Sequence, residues 1–413
     1  MPDKALMVAY HFPPLAGSSG IQRTLRFVQQ LPQQGWQPVV LSADARAYER
    51  TSDDLLAEVP AGTPVCRAFA LDTARHLAVG GRYPGVLARP DRWVTWRFDA
   101  VRQGMRLIRE HQPKVLWTTY PIATAHLIGA ELQRRSGLPW VADFRDPMAQ
   151  DGYPEDPRVW ASFKRIEEAA VTQAALLCFT TPSAADTYRR RYPAAARRIV
   201  VLENGYDEAT FARAEAALPH RNPLNPGCVT LLHSGIVYPS ERDPTQLFEA
   251  LGRMRSAGAC AALRVRFRAA PADDLLRDMA RRHGVEHQVE ILPPVPYAHA
   301  LSEMLQADGL LVMQASNCNE QVPAKVYEYL RAGRPIVSLT DPTGDTWRVL
   351  QAAGLSAVAH LDRADEIETL LTRVLIDHFP GCLPRRDAVE AAARSARTVE
   401  LARHLADVTR PRG

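Results

Sequence analysis

The chain is expected to fold as an α/β protein of two Rossmann-like domains, each a doubly wound parallel sheet. Three observations predict this. Its 413 residues exceed the roughly 250–300 at which one hydrophobic core stops growing. Short apolar runs without strict alternation recur between longer helical patterns, as parallel strands covered on both faces require. The alternation then restarts near residue 228, after a stretch from Glu215 to Cys228 rich in Ala, Pro, Asn and Gly.

In the first half, strands are expected at residues 5–10, 38–42, 115–119, 140–143, 176–180 and 199–202. In the second half they are expected at 229–233, 263–269, 289–292, 309–313 and 335–339. Helical patterns lie between them, for example at 19–34, 124–136, 244–256 and 323–332. The expected division is an N-terminal domain at 1–214, a linker at 215–228, a second domain at 229–380 and a packing segment at 381–413. The Ala- and Arg-rich pattern at 385–408 has no strand after it, so it reads as one long packing helix.

Composition narrows the function. Hydrophobic residues make up 46% and charged residues 23%, ordinary for a globular protein. The net charge is only +4, from 50 basic and 46 acidic residues, which does not point to nucleic acid. The apolar run at 5–10 is too short for a secretory leader, and no stretch approaches the roughly 20 apolar residues of a membrane span. A cytoplasmic protein is expected, touching at most the inner face of a membrane. The six cysteines form no C-x-x-C pair and read as reduced core residues. Between Arg75 and Arg109 eight arginines accompany only Asp91 and Asp99, with Trp93 and Trp96 among them. Two readings fit: a solvated helix face, or a surface for anionic lipid or a phosphate-bearing acceptor.

Ligands of doubly wound sheets bind beyond the C-terminal strand ends, so the strand-to-helix turns carry the candidates. The first turn runs from His11 through two prolines to Gly17, Ser18, Ser19 and Gly20. Its glycines permit close backbone approach and its serines offer hydroxyls and a helix cap. It is neither a dinucleotide fingerprint nor a Walker loop, because G-x-G-x-x-G and Gly-Lys-Ser/Thr are absent. Asp143, Arg145 and Asp146 follow another strand; they form either an internal Arg145–Asp146 ion pair or a polar site. Asn204-Gly205 marks a turn. In the second half, Ser234 and Gly235 end a strand, and Arg242 precedes a helix start, where an anion would offset its charge.

The strongest segment is NEQVPAKVYEYLRAGRP, residues 319–335. Pro323 suits a helix start and Gly333 its end. Glu320 then lies in the preceding loop, Lys325 in the first turn and Glu328 one turn on. The helix start at Val322, Pro323 and Ala324, with its free amides, and Lys325 suit a diphosphate, and the carboxylates suit sugar hydroxyls. An acidic cap followed by an ordinary amphipathic helix fits the same letters.

On these segments the sequence resembles the GT-B glycosyltransferases of family 4. YHFPPLAGSSGIQRTLRFVQQL, LENGYDEATF, LLHSGIVYPSERDP and EQVPAKVYEYLRAGRPIV resemble, in order, the family's opening loop, interdomain segment, donor-domain start and E-x7-E helix. The resemblance implies the GT-B fold with a cleft between its domains, and an enzyme that moves sugar from a nucleotide-diphosphate sugar with retention. No cofactor or metal is implied. The acceptor would be a glycan, lipid-linked or small molecule, in bacterial-type cell-surface polysaccharide or glycoconjugate synthesis. Carried over, Glu320 would meet the donor sugar, Glu328 the ribose, Arg242 and Lys325 the diphosphate, and Gly17 the donor phosphates. His11, Ser18, Ser19, Gly20, Asp143 and Arg145 would lie on the acceptor side, with Asp146 catalytic. The sequence departs from the family pattern at Gln321-Val322, at Ile236 after Gly235, and at Arg145 beside Asp146. A nucleotide-sugar epimerase of the same fold and a non-catalytic sugar-nucleotide-binding partner are the alternatives.

Overall fold

A computed structural model describes residues 2–17, 20–218, 220–238, 240–259, 261–269 and 273–410. The chain forms two compact units, residues 1–204 with 394–413, and residues 205–393.

The first unit holds seven parallel strands: β1 (Asp3–Val8), β2 (Trp36–Ala43), β3 (Val65–Ala68), β4 (Val115–Thr119), β5 (Trp140–Arg145), β6 (Leu176–Phe179) and β7 (Ile199–Val201). Their order is β3-β2-β1-β4-β5-β6-β7. The order reverses between β1 and β4, and this switch point is where open α/β sheets bind ligands. The central strands are buried on both faces, which explains their unbroken apolar character. Two of its helices start on side-chain caps, Asp156 accepting from the amides of Arg158 and Val159 and Thr181 from that of Ala184.

The second unit has six parallel strands: β8 (Val229–Ser234), β9 (Leu263–Arg268), β10 (Val289–Leu292), β11 (Gly309–Met313), β12 (Ile336–Leu339) and β13 (Val358–Ala359). Their order is β10-β9-β8-β11-β12-β13, with the switch between β8 and β11. Both units therefore have the expected doubly wound, parallel α/β architecture.

Several expectations are corrected. The short outer strands β3 and β13 were not anticipated. The division falls at Asn204-Gly205, ahead of the expected linker at 215–228. The reason is the helix Glu208–Ala216, which Arg331 ties to the helix Ala324–Ala332 by charge-assisted bonds to Glu208 (2.6 Å) and Glu215 (2.8 Å). The expected long packing helix is two helices, Arg386–Ala391 and Arg394–Thr409. The chain is interrupted between them because the Tyr206 amide bonds the Ala392 carbonyl at 3.2 Å and Tyr206 pairs in parallel with Ala393. The second of these helices closes the first unit, burying Leu401 and Leu405 in one apolar cluster with Leu25 and Val28 of the helix Gly20–Gln30 and Leu31 just after it.

Of the tryptophans expected on an arginine-rich surface, Trp96 is inside and Trp93 is partly covered. Trp96 is fully buried, and the half-buried Trp93 packs with its ring tilted 43° against Tyr10 at 4.7 Å between centroids while its indole donates to the Ala47 carbonyl. Cys66, Cys178, Cys228, Cys318 and Cys382 form no disulfide, and Cys260 lies outside the described residues. Among the described residues no helix is long and apolar enough to cross a membrane.

One buried histidine gives the first unit a pH dependence. His126 has no exposed surface and contacts Thr118 Oγ1 at 2.7 Å. Burial pushes its imidazole from 6.5 down to about 3, against the opposing pull of the Asp143 carboxylate. As pH falls, the unfolded chain therefore takes up this proton first. The contribution is complete above pH 6.5 and is lost progressively from there towards pH 3. At pH 5 the loss is about 2 kcal/mol. The thermal midpoint should drop between pH 7 and pH 5 more steeply for the native protein than for His126→Gln; parallel profiles would remove His126 as the cause.

Candidate functional site

Each unit gathers polar side chains at the C-terminal ends of its central strands. In the second unit, β8 ends at His233, Ser234 and Gly235. The Ser234 amide donates to the Tyr329 hydroxyl at 2.8 Å, which fixes the helix Ala324–Ala332 against this strand end. Pro323 stands immediately before the helix, as its N-cap residue rather than inside its first turn. The Val326 amide donates to the Pro323 carbonyl at 2.9 Å, and the amides of Ala324 and Lys325 at the helix start face no carbonyl within the helix, so these two are available to an anion. Val322, Pro323, Ala324 and Lys325 are all partly exposed there.

Glu328 is buried and holds two donors. Lys325 Nζ donates to one carboxylate oxygen at 2.8 Å and the Tyr297 hydroxyl to the other at 2.9 Å, while the Lys325 ammonium sits 5.4 Å from the Tyr297 ring centroid. The structure thus brings Lys325 and Glu328 together. Tyr297 begins the helix after β10 and joins them, a partner with no signal in the local sequence. Glu320 is exposed in the loop before the helix. That loop is shaped by Gln314 beyond β11, whose amide donates to the carbonyls of Cys318 (2.8 Å) and Gln321 (3.0 Å), and by Thr346, which donates to Gln321 at 3.1 Å. Arg242 precedes the helix Thr245–Ser256, as expected. It donates to the Ile236 carbonyl at 2.6 Å and stacks on Tyr238. His233 is buried with Nδ1 3.0 Å from the Leu311 carbonyl. Burial holds its imidazole down at about 4, with Arg242 and Lys325 adding to the effect, so the ring is neutral at pH 7. Because that carbonyl can only accept, Nδ1 carries the proton.

In the first unit, Gly17 adopts φ +81°, a left-handed conformation that favours glycine. Ser18 and Ser19, expected on the acceptor side, lie outside the described residues. Gly20 opens the first helix, where a Cβ would fall 2.4 Å from His11 Nδ1 and 2.9 Å from an Arg145 nitrogen. Only glycine allows these two side chains to reach the helix start. Burial and the neighbouring Arg145 hold the His11 imidazole down at about 4. Arg145 ends β5 at φ +63°, where the register with β6 shifts, so a non-glycine residue carries backbone strain at the strand end. Its carbonyl accepts from the Thr180 amide and hydroxyl, both at 2.8 Å, and one guanidinium nitrogen donates to the Tyr120 carbonyl at 3.2 Å. Burial raises the Asp146 carboxyl, while Arg145 and Arg23 pull it back.

Asp143 is a correction. It has no exposed surface, so it does not face an acceptor. It is clamped by Arg23, with Nε and Nη2 each 2.9 Å from a carboxylate oxygen, and also accepts from Thr119 Oγ1 at 2.9 Å. Arg23 further donates to the carbonyls of Leu202 and Glu203, both at 3.0 Å. Asp143 therefore pairs with Arg23 and serves the fold. Arg145 and Asp146 form no ion pair of their own among the described residues, and Arg145 lies at the strand end beside His11 and Gly20.

No group of three or more metal-ligating side chains is assembled among the described residues. The residues present are cations, helix amides, sugar-type acceptors and a neutral imidazole.

Residues 19–205 match the model of a glycosyl transferase 4-like domain. Anabaena Alr3699/HepE, solved in complex with UDP, is similar in structure with a TM-score of 0.68 at 13% identity, covering 98% of this chain and 100% of its own. Sucrose-phosphate synthase from Thermosynechococcus elongatus gives a TM-score of 0.69 at 13% identity, covering 98% of each chain. A putative UDP-N-acetylglucosamine 2-epimerase from Listeria monocytogenes gives 0.56 at 12% identity, covering 98% of this chain and 95% of that one. At such identities the likeness is one of fold. No curated protein matches the sequence.

Proposed function

We propose that the chain is a glycosyltransferase of the GT-B, family 4 type, and that it moves a sugar from a nucleotide-diphosphate sugar to an acceptor with retention at the anomeric carbon. The acceptor is a glycan, a lipid-linked or a small molecule, in cell-surface polysaccharide or glycoconjugate synthesis. The observation that carries the proposal is Glu328, held by Lys325 and Tyr297 one turn inside a helix whose free first-turn amides lie beyond β11.

In this reading Glu328 accepts from the ribose hydroxyls, and Lys325, Arg242 and the first-turn amides receive the diphosphate. Glu320 holds the donor sugar, with Ser234 and Gly235 lining the same strand end. In the first unit, His11, Gly20 and Arg145 meet the acceptor, with Asp146 beside them. As the bond from the anomeric carbon to the phosphate oxygen lengthens, negative charge grows on the diphosphate, where fixed cations and amides stabilise it without reorganising. The departing oxygen takes the acceptor's proton on the same face, so neither a metal ion nor a protein nucleophile is part of the step.

Nucleoside diphosphates should raise the thermal midpoint, since a ligand of the native state alone stabilises it. Glu328→Ala should weaken that binding by about tenfold or more, the value of a charge-assisted hydrogen bond of about 1.5–3 kcal/mol. Incubation with the donor alone should slowly release the nucleoside diphosphate and free sugar. Inversion of a sugar carbon without release of the diphosphate would make the protein an epimerase instead, and unchanged affinity in Glu328→Ala would take that residue out of the site.

A further inference from the structure

At the C-terminal end of β8, main-chain pairing with β11 gives way to side chains. The ladder pairs Leu231 with Gly309 and Leu232 with Leu310. One residue further on, the His233 side chain takes up the Leu311 carbonyl, 3.0 Å from Nδ1, and the Ser234 amide donates to the Tyr329 hydroxyl. His233 is only 7% exposed, and its ring lies 6.1 Å from that of Phe267 on β9, which stacks on Phe248 of the helix Thr245–Ser256. With Nδ1 committed as a donor, Nε2 presents a lone pair. That nitrogen is buried and has no hydrogen-bond partner among the described residues. A buried acceptor left unmade destabilises the free protein. Packing does not call for it, since an apolar ring would fill the place beside Phe267 equally well.

The charges that act on the ring are those of Arg242, from the loop after β8, and Lys325, from the helix Ala324–Ala332, and both disfavour its protonation. The other ionisable groups nearby have partners or effects elsewhere. Glu328 is held by Lys325 and Tyr297, and Arg268 at the end of β9 pairs with Glu303 at 2.6 Å. In the loop, Asp243 accepts from the Thr245 amide and hydroxyl, and Glu241 acts on Cys318. Two cations around one spot gather an anion, and an anion has no hydrogen to give to a lone pair. It can bond Nε2 only once that nitrogen has taken a proton. By offsetting Arg242 and Lys325, the same anion removes part of what keeps the proton away.

We propose that His233 is a further diphosphate-binding residue, whose Nε2 takes up one proton from solvent as a nucleoside diphosphate binds and donates it in a hydrogen bond to a phosphate oxygen. The lone pair of Nε2 forms the new N–H bond, the ring becomes an imidazolium with Nδ1–H still on the Leu311 carbonyl, and the proton returns to solvent when the nucleotide departs. The inference rests on the donor site proposed above and adds to it a cation that exists only while the anion is present. An imidazole so placed leaves the empty site with two fixed charges and gives the loaded site three, so binding is tighter in acid than in base.

The test is calorimetric titration of the full chain with uridine, guanosine and adenosine diphosphates, the tightest of them carried forward. Titrations at one pH in two buffers of different ionisation enthalpy count the protons taken up. The native protein should take up more per ligand than His233→Gln, by up to about one. Its affinity should rise about threefold or more from pH 8 to pH 6 relative to His233→Gln. The glutamine keeps an N–H for the phosphate, so that variant should still bind, without the added pH dependence. His233→Phe, with no donor, should bind about tenfold more weakly than the native protein at pH 6. Thermal midpoints verify folding of both variants. Should either fail to fold, nitrogen NMR of the histidine-labelled native protein decides, since one imidazole should pass from singly to doubly protonated on saturation. Absence of binding by every nucleoside diphosphate removes the donor site and this inference with it. Binding with the same proton count and pH profile in the native protein and His233→Gln overturns the role of His233 alone and leaves the donor site standing. Weakened binding in His233→Phe without any proton uptake also overturns it, and makes Nε2 an acceptor for a ligand hydroxyl.

Discussion

Lys325→Ala is expected to lower turnover by roughly 10²–10³, and Glu320→Ala by a similar factor. Lys325 lies in the first turn of the helix Ala324–Ala332, beside amides with no intrahelical partner, so its charge adds to theirs where the diphosphate is proposed to leave. An interaction that strengthens only as the leaving group gains charge lowers kcat and kcat/KM together. Lys325 also holds Glu328 at 2.8 Å, so its loss frees that carboxylate and weakens nucleotide binding in addition. Measuring nucleotide affinity and turnover in Lys325→Ala and Glu328→Ala separates the two roles. Glu328→Ala should lose mainly affinity, and Lys325→Ala should lose turnover even at saturating donor. Equal turnover in Lys325→Ala and the native protein at saturation would remove it from the chemical step. A covalent glycosyl adduct on Asp146, with activity abolished in Asp146→Ala, would replace the same-face route by a double displacement.

Arg23→Ala should destabilise the first unit by about 3–5 kcal/mol, the cost of leaving a buried carboxylate without its partner. Asp143 has no exposed surface, and three of its hydrogen bonds come from Arg23 and Thr119. Arg23 also satisfies the carbonyls of Leu202 and Glu203, which would be left without that donor. Removing both charges with Arg23→Met and Asp143→Leu should cost less than Arg23→Ala alone, because no buried charge then remains unpaired. Chemical denaturation of the three proteins reads this out. A loss below about 1 kcal/mol in Arg23→Ala would mean that water or another cation reaches Asp143.

The parts of this fold legible in the sequence were those decided locally. Strands β4 and β11 fall where their apolar runs place them, because a strand buried on both faces needs a continuous run. The outer strand β3 carries Cys66 and Arg67 and is largely half-buried, and β13 is two residues long, so neither has such a run to display. The boundary at Asn204-Gly205 was displaced in the sequence reading because a salt bridge from Arg331, more than a hundred residues away, decides which unit holds the helix Glu208–Ala216. The same distance hid the site's supports. Glu320, Lys325 and Glu328 stand in one short segment and show a spacing, whereas Tyr297 and Thr346 come to it from 31 and 25 residues away through the fold. Asp143 looked available because nothing within its own turn neutralises it. Its partner is on the first helix, 120 residues earlier.

The first unit is discontinuous, since the helix Arg394–Thr409 completes a core begun by Gly20–Gln30. A ribosome delivers the chain from the N-terminus, so every residue of the second unit emerges before Leu401 and Leu405 do. During synthesis the second unit can become complete while the apolar face of Leu25, Val28 and Leu31 still waits for its cover. Over that interval the earlier-made half is the less finished one, and its exposed surface is what a chaperone would meet. A stop directly after Ala393 would leave the second unit whole and strand the first in that condition.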